Sequence, residues 1–385
     1  MKSSDEAARL LKAPQTQVDP FATYDQLRDQ CPVQVGSKSW IVLRYENVRA
    51  VLADPEQFSS NVRDSDNPAF RHSPLVFDDP PRHTHVRRVL TKAFTPRRVA
   101  EAEPWIRELT VDAVEAMRSS METIGGPVDF VQQFADPIPV RVIATMLGIS
   151  PDRHRDFKQW SRDRSFVVYN FRGDQTPQLA AACAGVAAQH DFFVEIARDR
   201  AVRPGDDLVS ALVHTEIDGE RLDLDEVAGV CSVLLSAGNL TTTRLLSSVV
   251  ARLATDHGEW RRVRADIDHR ALVIEQVLRD ESPVQTPIRT TKRDVEIANK
   301  TIPKGAFVTI GLGAANRDPS ATAQPHLAFG YGIHYCVGAA LARLETTVAL
   351  DVLAVVAPRL RIDGEAIGEV GMAHRGYVSL PVRFA

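Results

Sequence analysis

A glycine-framed cysteine just ahead of an apolar helical pattern limits the structure of this chain more than any other segment. In HLAFGYGIHYCVGAALARLE, residues 326–345, Gly330, Gly332 and Gly338 surround Cys336. Free backbone N–H groups and the positive dipole end of the following helix favour the thiolate form of such a cysteine. The glycines would let the backbone run flat beneath a large planar group and point amides at the sulfur. A lone cysteine is more often a buried apolar residue, but this frame favours a ligand.

Composition and charge exclude several classes of protein. The chain has 385 residues, of which 44% are hydrophobic and 25% charged, and a formal net charge of -4. This balance predicts a globular protein with one large domain or two and gives no global argument for nucleic-acid binding. The four cysteines are scattered without zinc-type spacing, which suits a reducing compartment. No signal-like segment and no run of about 18 apolar residues is present, which predicts a cytoplasmic protein without a membrane anchor.

The helical pattern dominates the middle of the chain. Most of residues 83–256 follow it, with breaks at prolines and glycines, and short strand-like pieces lie nearer the carboxyl end. The longest pattern, residues 223–257, begins with Asp223 and Glu226 in a capping-box arrangement and predicts a helix about 50 Å long. Within it, the polar sequence SAGNLTTT, residues 236–243, interrupts an apolar run. We therefore expect a mainly α protein with a small β-rich part.

The cysteine segment resembles the heme-binding loop of the cytochrome P450 family. The matching positions are Phe329, Gly330, Gly332, His334, Cys336 and Gly338. The resemblance implies one cytochrome P450-like domain over residues 1–385, with heme b between a long distal helix and a proximal helix after the cysteine loop. It implies that Cys336 is the metal ligand, as the proximal thiolate, and that Phe329, Gly330 and Gly338 help to bind the cofactor. A thiolate ligand pushes electron density to the iron and favours O–O cleavage.

Other basic residues match family positions that hold the heme propionates. His83 and Arg87, in DDPPRHTHVRR, are four residues apart and would share one helical face. Arg289, in SPVQTPIR, matches an arginine on a family strand, and His334 in the cysteine loop would bond a propionate. Without the cysteine loop, His83 and Arg87 would be interpreted as a solvated helix face. Beside it, they are predicted to bind the cofactor.

The polar break in the long helix resembles the kinked distal segment of the family. The family pattern there is Ala-Gly-x-acid-Thr, and this chain has Thr241 at the threonine position but Leu240 at the acid position. Leucine can neither carry a proton nor hold a water in place. Either Asn239, Thr242 and Thr243 form another proton relay, or the substrate supplies one, or the reaction needs no standard oxygen activation. The predicted catalytic residues are Thr241, Gly238, Ala237, Asn239 and Thr242.

Two further departures concern residues around the cofactor loop. In VIEQVLRDESPVQ the family register places Gln276, instead of a glutamate, opposite Arg279. Glu275 lies about 100° around the helix and is not a simple substitute. The segment before the cysteine loop is also shorter than in the family and lacks an arginine that pairs with the glutamate. Losing both partners avoids a buried unpaired charge and indicates a divergent branch.

The resemblance implies a heme-thiolate oxidoreductase acting on a small organic molecule in secondary-metabolite biosynthesis. The expected chemistry is hydroxylation, or oxidative coupling, cyclisation or rearrangement, with O2 and electrons from a ferredoxin-type partner. A basic cluster could dock that acidic partner, and a solvated basic face is an equal alternative for any one member. The cluster comprises Arg87, Arg88, Lys92, Arg97, Arg98 and Arg343. The alternative function is a catalytically idle family member that stabilises another enzyme, but the retained heme-binding residues argue against it.

The substrate is hardly encoded in the sequence. Two segments, NVRDSDNPAFRHSPLVF and QWSRDRSFVVYNFRG, fall where relatives contact substrate. They mix aromatic residues with arginines, which suits an aromatic, carboxylate-bearing or carrier-tethered substrate. The residues are Phe70, Trp160, Phe166, Tyr169, Phe171, Arg63, Arg162, Arg164 and Arg172. Ordinary packing with solvated arginines is an equal alternative.

Overall fold

The computed structural model describes residues 3–62, 73–170 and 176–384. Helices dominate this part of the chain. They are α1 Ser4–Lys12, α2 Pro14–Val18, α3 Phe21–Arg28, α4 Tyr45–Ala53, α5 Arg82–Ala93, α6 Pro96–Glu101, α7 Glu103–Ile124, α8 Pro137–Met146, α9 His154–Asn170, α10 Pro177–Val202, α11 Leu208–His214, α12 Leu224–Thr255, α13 His257–Ala265, α14 Ile267–Asp280, α15 Leu312–Asn316 and α16 Ala339–Val356. A π-helical turn, Val131–Ala135, precedes α8. The expected predominance of helix is confirmed.

The strands are short and form small sheets. They are β1 Val33–Gly36, β2 Ser39–Val42, β3 Phe58–Ser59, β4 Val128–Asp129, β5 Glu216–Ile217, β6 Glu220–Arg221, β7 Ile288–Thr291, β8 Val295–Ile297, β9 Lys300–Ile302, β10 Phe307–Ile310, β11 Leu360–Ile362, β12 Ile367–Gly368, β13 Tyr377–Ser379 and β14 Pro381–Phe384. The largest sheet has the order β1-β2-β10-β7-β3. In it, Arg289 of β7 pairs with Val308 of β10, which fixes the register of this arginine. The predicted strand-rich part is therefore present.

The long helix α12 forms where the sequence predicted it and crosses the main hydrophobic core. Its capping box is complete, because the Asp223 carboxylate accepts from the Glu226 N–H at 2.8 Å and Glu226 accepts from the Asp223 N–H at 2.9 Å. Its 32 residues span about 48 Å. Most of its side chains are buried on several faces, so helix α12 is supported by packing around it rather than on one face.

Two of the predicted breaks coincide with helix boundaries. Helix α7 ends at Gly125, whose left-handed φ of 69° suits glycine, and α8 begins with Pro137 at its first position. None of the helices in the described ranges combines the length and the apolar character that a membrane span requires.

Candidate active site

Cys336 lies in a tight loop that backbone hydrogen bonds close. Its N–H donates to the carbonyl oxygen of Phe329 at 2.9 Å. Gly330 and Gly332 both adopt left-handed conformations, with φ of 74° and 73°. A Cβ at Gly332 would lie 2.5 Å from the carbonyl oxygen of Leu52 in α4, so this position requires glycine for its conformation and for the space around it. The loop is therefore fixed by its backbone and by its contact with α4.

The thiol of Cys336 faces the inside of the protein. Its side chain is exposed by surface area, yet burial raises the pKa of the thiol. Both hold for a group that faces an internal cavity. The Gly338 N–H and the guanidinium groups of Arg87 and Arg343 lower this pKa but do not outweigh burial. For the free thiol, burial therefore outweighs the effect of the helix start, whereas a bound metal ion deprotonates a coordinating thiol outright.

The polar break of α12 presents small side chains to open space inside the protein. Ala237 is exposed in the middle of this otherwise buried helix, and Gly238 and Thr241 are half-buried. A Cβ added at Gly238 would meet no atom within 4 Å. Ala237 and Thr241 share one face by their spacing, and the Thr241 hydroxyl donates to the Ala237 carbonyl oxygen at 2.7 Å. The structure thus groups three of the predicted catalytic residues on one cavity-facing surface.

Asn239 and Thr242 lie on other faces of α12. Asn239 is buried and donates to the hydroxyl of Ser161 in α9 at 3.1 Å. Thr243 donates to the carbonyl oxygens of Ala135 and Asn239, both at 3.0 Å, and Thr242 is also buried. Successive helix positions point about 100° apart, so this placement argues against a relay through these residues at the Thr241 face.

Leu240 lines a second, polar cavity beside α12. This cavity has a volume of about 680 Å³ and lies between α9, α12, the π-helical turn and the loop that follows β12; Asp136, Arg162 and Arg244 also line it. Asp136 forms ion pairs with Arg162 at 3.0 Å and with Lys158 at 2.6 Å. The position where the family carries an acid therefore faces charged groups in this chain, although its own side chain is apolar.

Four basic residues from three parts of the chain meet at the cysteine loop: His83 and Arg87 of α5, Arg289 of β7, and His334 of the loop itself. His83 is buried, and neither of its ring nitrogens has a hydrogen-bond partner among the described residues. Its ring lies 4.3 Å from that of His334 between centroids, and His334 Nε2 is 2.8 Å from the Ser60 hydroxyl. Burial, together with Arg289 and His83, lowers the pKa of His334 to about 3. Burial and the nearby Arg87 also lower the pKa of His83, so the site disfavours positive charge on both histidines.

The arginines of this group are also poorly neutralised. Burial lowers the pKa of Arg289 to about 10, and burial lowers that of Arg87. The nearby carboxylate of Asp79 is engaged by Lys292 at 3.1 Å and by the Ser59 hydroxyl at 2.6 Å. Buried cations need a counter-charge, so the structure calls for an anionic group between β7, α5 and the cysteine loop.

Comparison with known proteins decides the family. The model of the family described as cytochrome P450 matches residues 23–271. The chain belongs to the cytochrome P450 family. It is 35% identical over 352 residues to Cytochrome P450 109 of Bacillus spizizenii, which covers 87% of this chain and 83% of that protein. It is 33% identical to Cytochrome P450 monooxygenase PikC of Streptomyces venezuelae, covering 95% of this chain and 91% of the relative.

Solved structures show the same cytochrome P450 fold. The cytochrome P450 CYP109Q5 from Chondromyces apiculatus superposes with a TM-score of 0.85 at 34% identity, covering 97% of each chain. P450BioI, solved in complex with an acyl carrier protein that carries hexadec-9Z-enoic acid, gives a TM-score of 0.87 at 27% identity, covering 96% of this chain and 99% of that one. The cytochrome P450 family consists of heme-thiolate enzymes that carry heme b on a cysteine ligand, and this chain is an enzyme of that type.

The residues present fit heme b. Its two propionates would supply the anionic charge that His83, Arg87, Arg289 and His334 lack, and its iron would take the cavity-facing sulfur of Cys336. The sequence did not predict Ser60, which holds His334 by its hydroxyl. A serine in a loop carries no pattern that could have indicated this contact.

Around α14 the structure shows which residues take the place of the family's glutamate–arginine pair. Gln276 is exposed and accepts from Arg252 of α12 at 3.1 Å, which agrees with the predicted loss of a pair with Arg279. Arg279 donates to the carbonyl oxygens of Asn316 and Gln324. A rotation of about 100° separates neighbouring helix positions, and it is Glu275 that faces the cysteine loop. Sequence comparison with the family pattern missed this because it assigned the acid to a single position.

The residues proposed to contact substrate have mixed placements. Trp160 is buried against Phe157 and Phe192, with ring centroids 5.5 and 5.4 Å apart, which is ordinary core packing. Arg164 is buried and donates to Ser73, whereas Arg162 and Phe166 line the polar cavity. Arg63, Phe70, Phe171, Arg172 and the side chain of Tyr169 lie outside the described residues.

The predicted docking cluster is largely occupied by local partners. Arg88 pairs with Asp218, Arg97 with Glu101, Arg98 with Asp206, Arg343 with Glu275, and Lys92 donates to the Glu216 carbonyl oxygen. Arg87 is half-buried beside Cys336. These contacts reduce the positive charge that the cluster offers to a partner.

Proposed function

We propose that this chain is a monooxygenase that holds heme b on Cys336 and oxidises a small organic molecule in secondary-metabolite biosynthesis. The observation that carries the proposal is the juxtaposition of the inward-facing sulfur with buried basic residues that lack an anionic partner. We further propose that His83, Arg87, Arg289 and His334 bind the propionates, and that Phe329, Gly330 and Gly338 shape the loop. Bound heme supplies the activation of O2 for insertion of one oxygen atom into the substrate.

The distal side of the pocket is formed by Ala237, Gly238 and Thr241. The first two leave room for a small ligand and for substrate. The Thr241 hydroxyl, which donates to Ala237 in this structure, can rotate to hold a water or to pass a proton to a ligand. With Leu240 unable to carry a proton, ordered water or the substrate supplies the proton source. The chain therefore retains the threonine of the family pattern, Thr241, but has Leu240 in place of the acid.

Reconstitution with heme tests this assignment. We expect the protein to bind one heme and to show the absorption typical of a heme-thiolate enzyme when reduced under carbon monoxide. Replacing His83 and Arg289 singly by alanine should weaken heme binding by about 10- to 100-fold each, the usual cost of removing a group that orients a bound cofactor. Lys292→Ala, which removes a nearby cation from the surface side, is the matched control. Equal heme affinity in all variants would refute the proposed propionate site.

The substrate is proposed to be of drug-like size or larger. We propose that the polar cavity beside Leu240 holds the part of the substrate that extends beyond the Thr241 face; its volume of about 680 Å³ lies in the range of small-molecule sites. Relatives include 6-deoxyerythronolide B hydroxylase of Saccharopolyspora erythraea and Vitamin D(3) 25-hydroxylase of Pseudonocardia autotrophica. A titration panel of macrolactones, secosteroids and carrier-bound fatty acids, read through the heme spin state, tests the class. Aromatic and carboxylate-bearing compounds are added to the same panel, because the sequence predicts such substrates as well.

Electron delivery by a ferredoxin-type partner is proposed from family membership. The paired state of the basic cluster predicts a weak dependence of this docking on any single arginine. Reduction rates with a ferredoxin and its reductase, measured against salt concentration, test it, and no reduction by any ferredoxin would contradict it. That residues 1–385 form one domain, and that the protein is cytoplasmic, are also predictions.

A further inference from the structure

Glu275 joins α14 to both ends of the cysteine segment, residues 326–345, through three contacts with Arg343 and His326. Its carboxylate accepts two hydrogen bonds from Arg343 of α16, at 2.6 and 2.9 Å, which is the bidentate geometry of the stronger arginine–carboxylate pairs. The same carboxylate lies 2.9 Å from Nε2 of His326. Because His326 Nδ1 accepts the N–H of Ala328 at 3.2 Å, the ring proton lies on Nε2 and is donated to Glu275.

Arg343 carries this contact to the backbone of the loop. Its guanidinium lies over the ring of Phe329, 4.5 Å from the centroid. The carbonyl oxygen of Phe329 accepts the N–H of Cys336 at 2.9 Å. Burial would raise the pKa of Glu275, but the hydrogen bonds from Arg343 and His326 outweigh it and hold the pKa at about 2. The carboxylate is therefore ionised at any ordinary pH.

We propose that Glu275 is a positioning residue for the heme ligand, acting through Arg343 and Phe329 on the backbone of Cys336. This proposal rests on the proposed function. In this proposal, Glu275 of α14 holds the loop around Cys336 in place. Gln276, at the next position, accepts a hydrogen bond from Arg252 and faces α12 instead. Arg279 braces a different segment, because it donates to the carbonyl oxygens of Asn316 and Gln324. The acid that stabilises the loop is therefore Glu275, one position before Gln276, where the family pattern places its glutamate.

The test is Glu275→Gln in the heme-loaded protein. Gln keeps the size but loses the charge and the bidentate pair. We expect about tenfold faster transfer of heme to a scavenging apoprotein, as for loss of groups that orient a metal ligand. We also expect the reduced carbon monoxide complex to shift from the thiolate absorption towards that of protonated thiol. Adding Gln276→Glu should not restore either property, since that side chain faces Arg252.

The matched control is Asp351→Asn. Asp351 lies about 12 Å further along α16 than Arg343 and accepts from Arg107 at 2.8 Å and from Arg270 at 2.5 Å. The Asp351→Asn substitution should lower the melting temperature without changing the thiolate absorption. If Glu275→Gln does not fold, Arg343→Lys, which keeps the charge but loses the paired geometry, is expected to show the same shift.

The outcomes separate the two proposals. A wild-type protein without the thiolate absorption overturns the proposed function itself. If the wild-type protein shows the thiolate absorption, any of three results overturns only the positioning role. Glu275→Gln and Arg343→Lys both keep wild-type spectra and heme transfer, or Asp351→Asn loses the thiolate absorption to the same extent, or Gln276→Glu restores that absorption to Glu275→Gln.

Discussion

Gly238→Ala should make the protein more stable and worse at binding ligands on the heme. Glycine in a helix interior costs about 1 kcal/mol relative to alanine, and a Cβ at Gly238 would meet no atom within 4 Å. No steric term therefore opposes the gain. For a chain of 385 residues the entropy of unfolding converts it into a rise of about 1 °C in melting temperature. Such a rise would show that Gly238 is present because of the space it leaves in the cavity and not because the fold needs a glycine there.

The cost of the added methyl group should appear in the cavity. Filling space that a ligand occupies costs about 1–3 kcal/mol, so we expect imidazole to bind the heme about tenfold more weakly in Gly238→Ala. Denaturant unfolding of the heme-free protein and a spectral titration of the heme-loaded protein measure the two effects. Ala237→Gly is the control, with a loss of about 1 kcal/mol in stability and undiminished imidazole affinity. A destabilised Gly238→Ala protein, or one with unchanged affinity, would refute the reasoning.

Three further predictions concern single residues. Leu240→Glu should raise oxygen-dependent turnover or peroxide leakage by supplying a proton carrier; unchanged oxygen consumption would show that Leu240 does not limit proton delivery. Gly332→Ala should destabilise the protein by about 1–3 kcal/mol because of its left-handed backbone and the nearby Leu52 oxygen, as read by thermal melting. Burial raises the pKa of Glu345 to about 8, so the folded protein should lose stability as pH rises from about 5 towards 8, and Glu345→Gln should flatten this loss in melts between about pH 5 and 8.

The elements that local chemistry determines were predictable from the sequence. The capping box at Asp223 and the left-handed glycine after α7 depend on neighbouring residues, and both are present. The cysteine loop was recognisable because glycines at Gly330 and Gly332 are required by its backbone. The direction of the thiol pKa was not predictable, since it depends on burial created by distant elements.

Contacts between distant elements were the least predictable part of the site. Gln276 and Glu275 differ by one helix position, and only the packing of α14 against α16 decides which of them meets Arg343. In the same way, the sequence predicted Asn239 as part of a proton relay, but its side-chain amide donates instead to the Ser161 hydroxyl of α9. Family patterns assign roles to positions, whereas the partners come from the fold.

The carbon monoxide spectrum of the reduced protein tests the central claim most directly. Wild-type protein loaded with heme should show the absorption typical of a thiolate ligand. Cys336→Ser should retain heme through the basic residues but lose that absorption. A wild-type spectrum without the thiolate band, or a Cys336→Ser spectrum that keeps it, would contradict the assignment of Cys336 as the heme ligand.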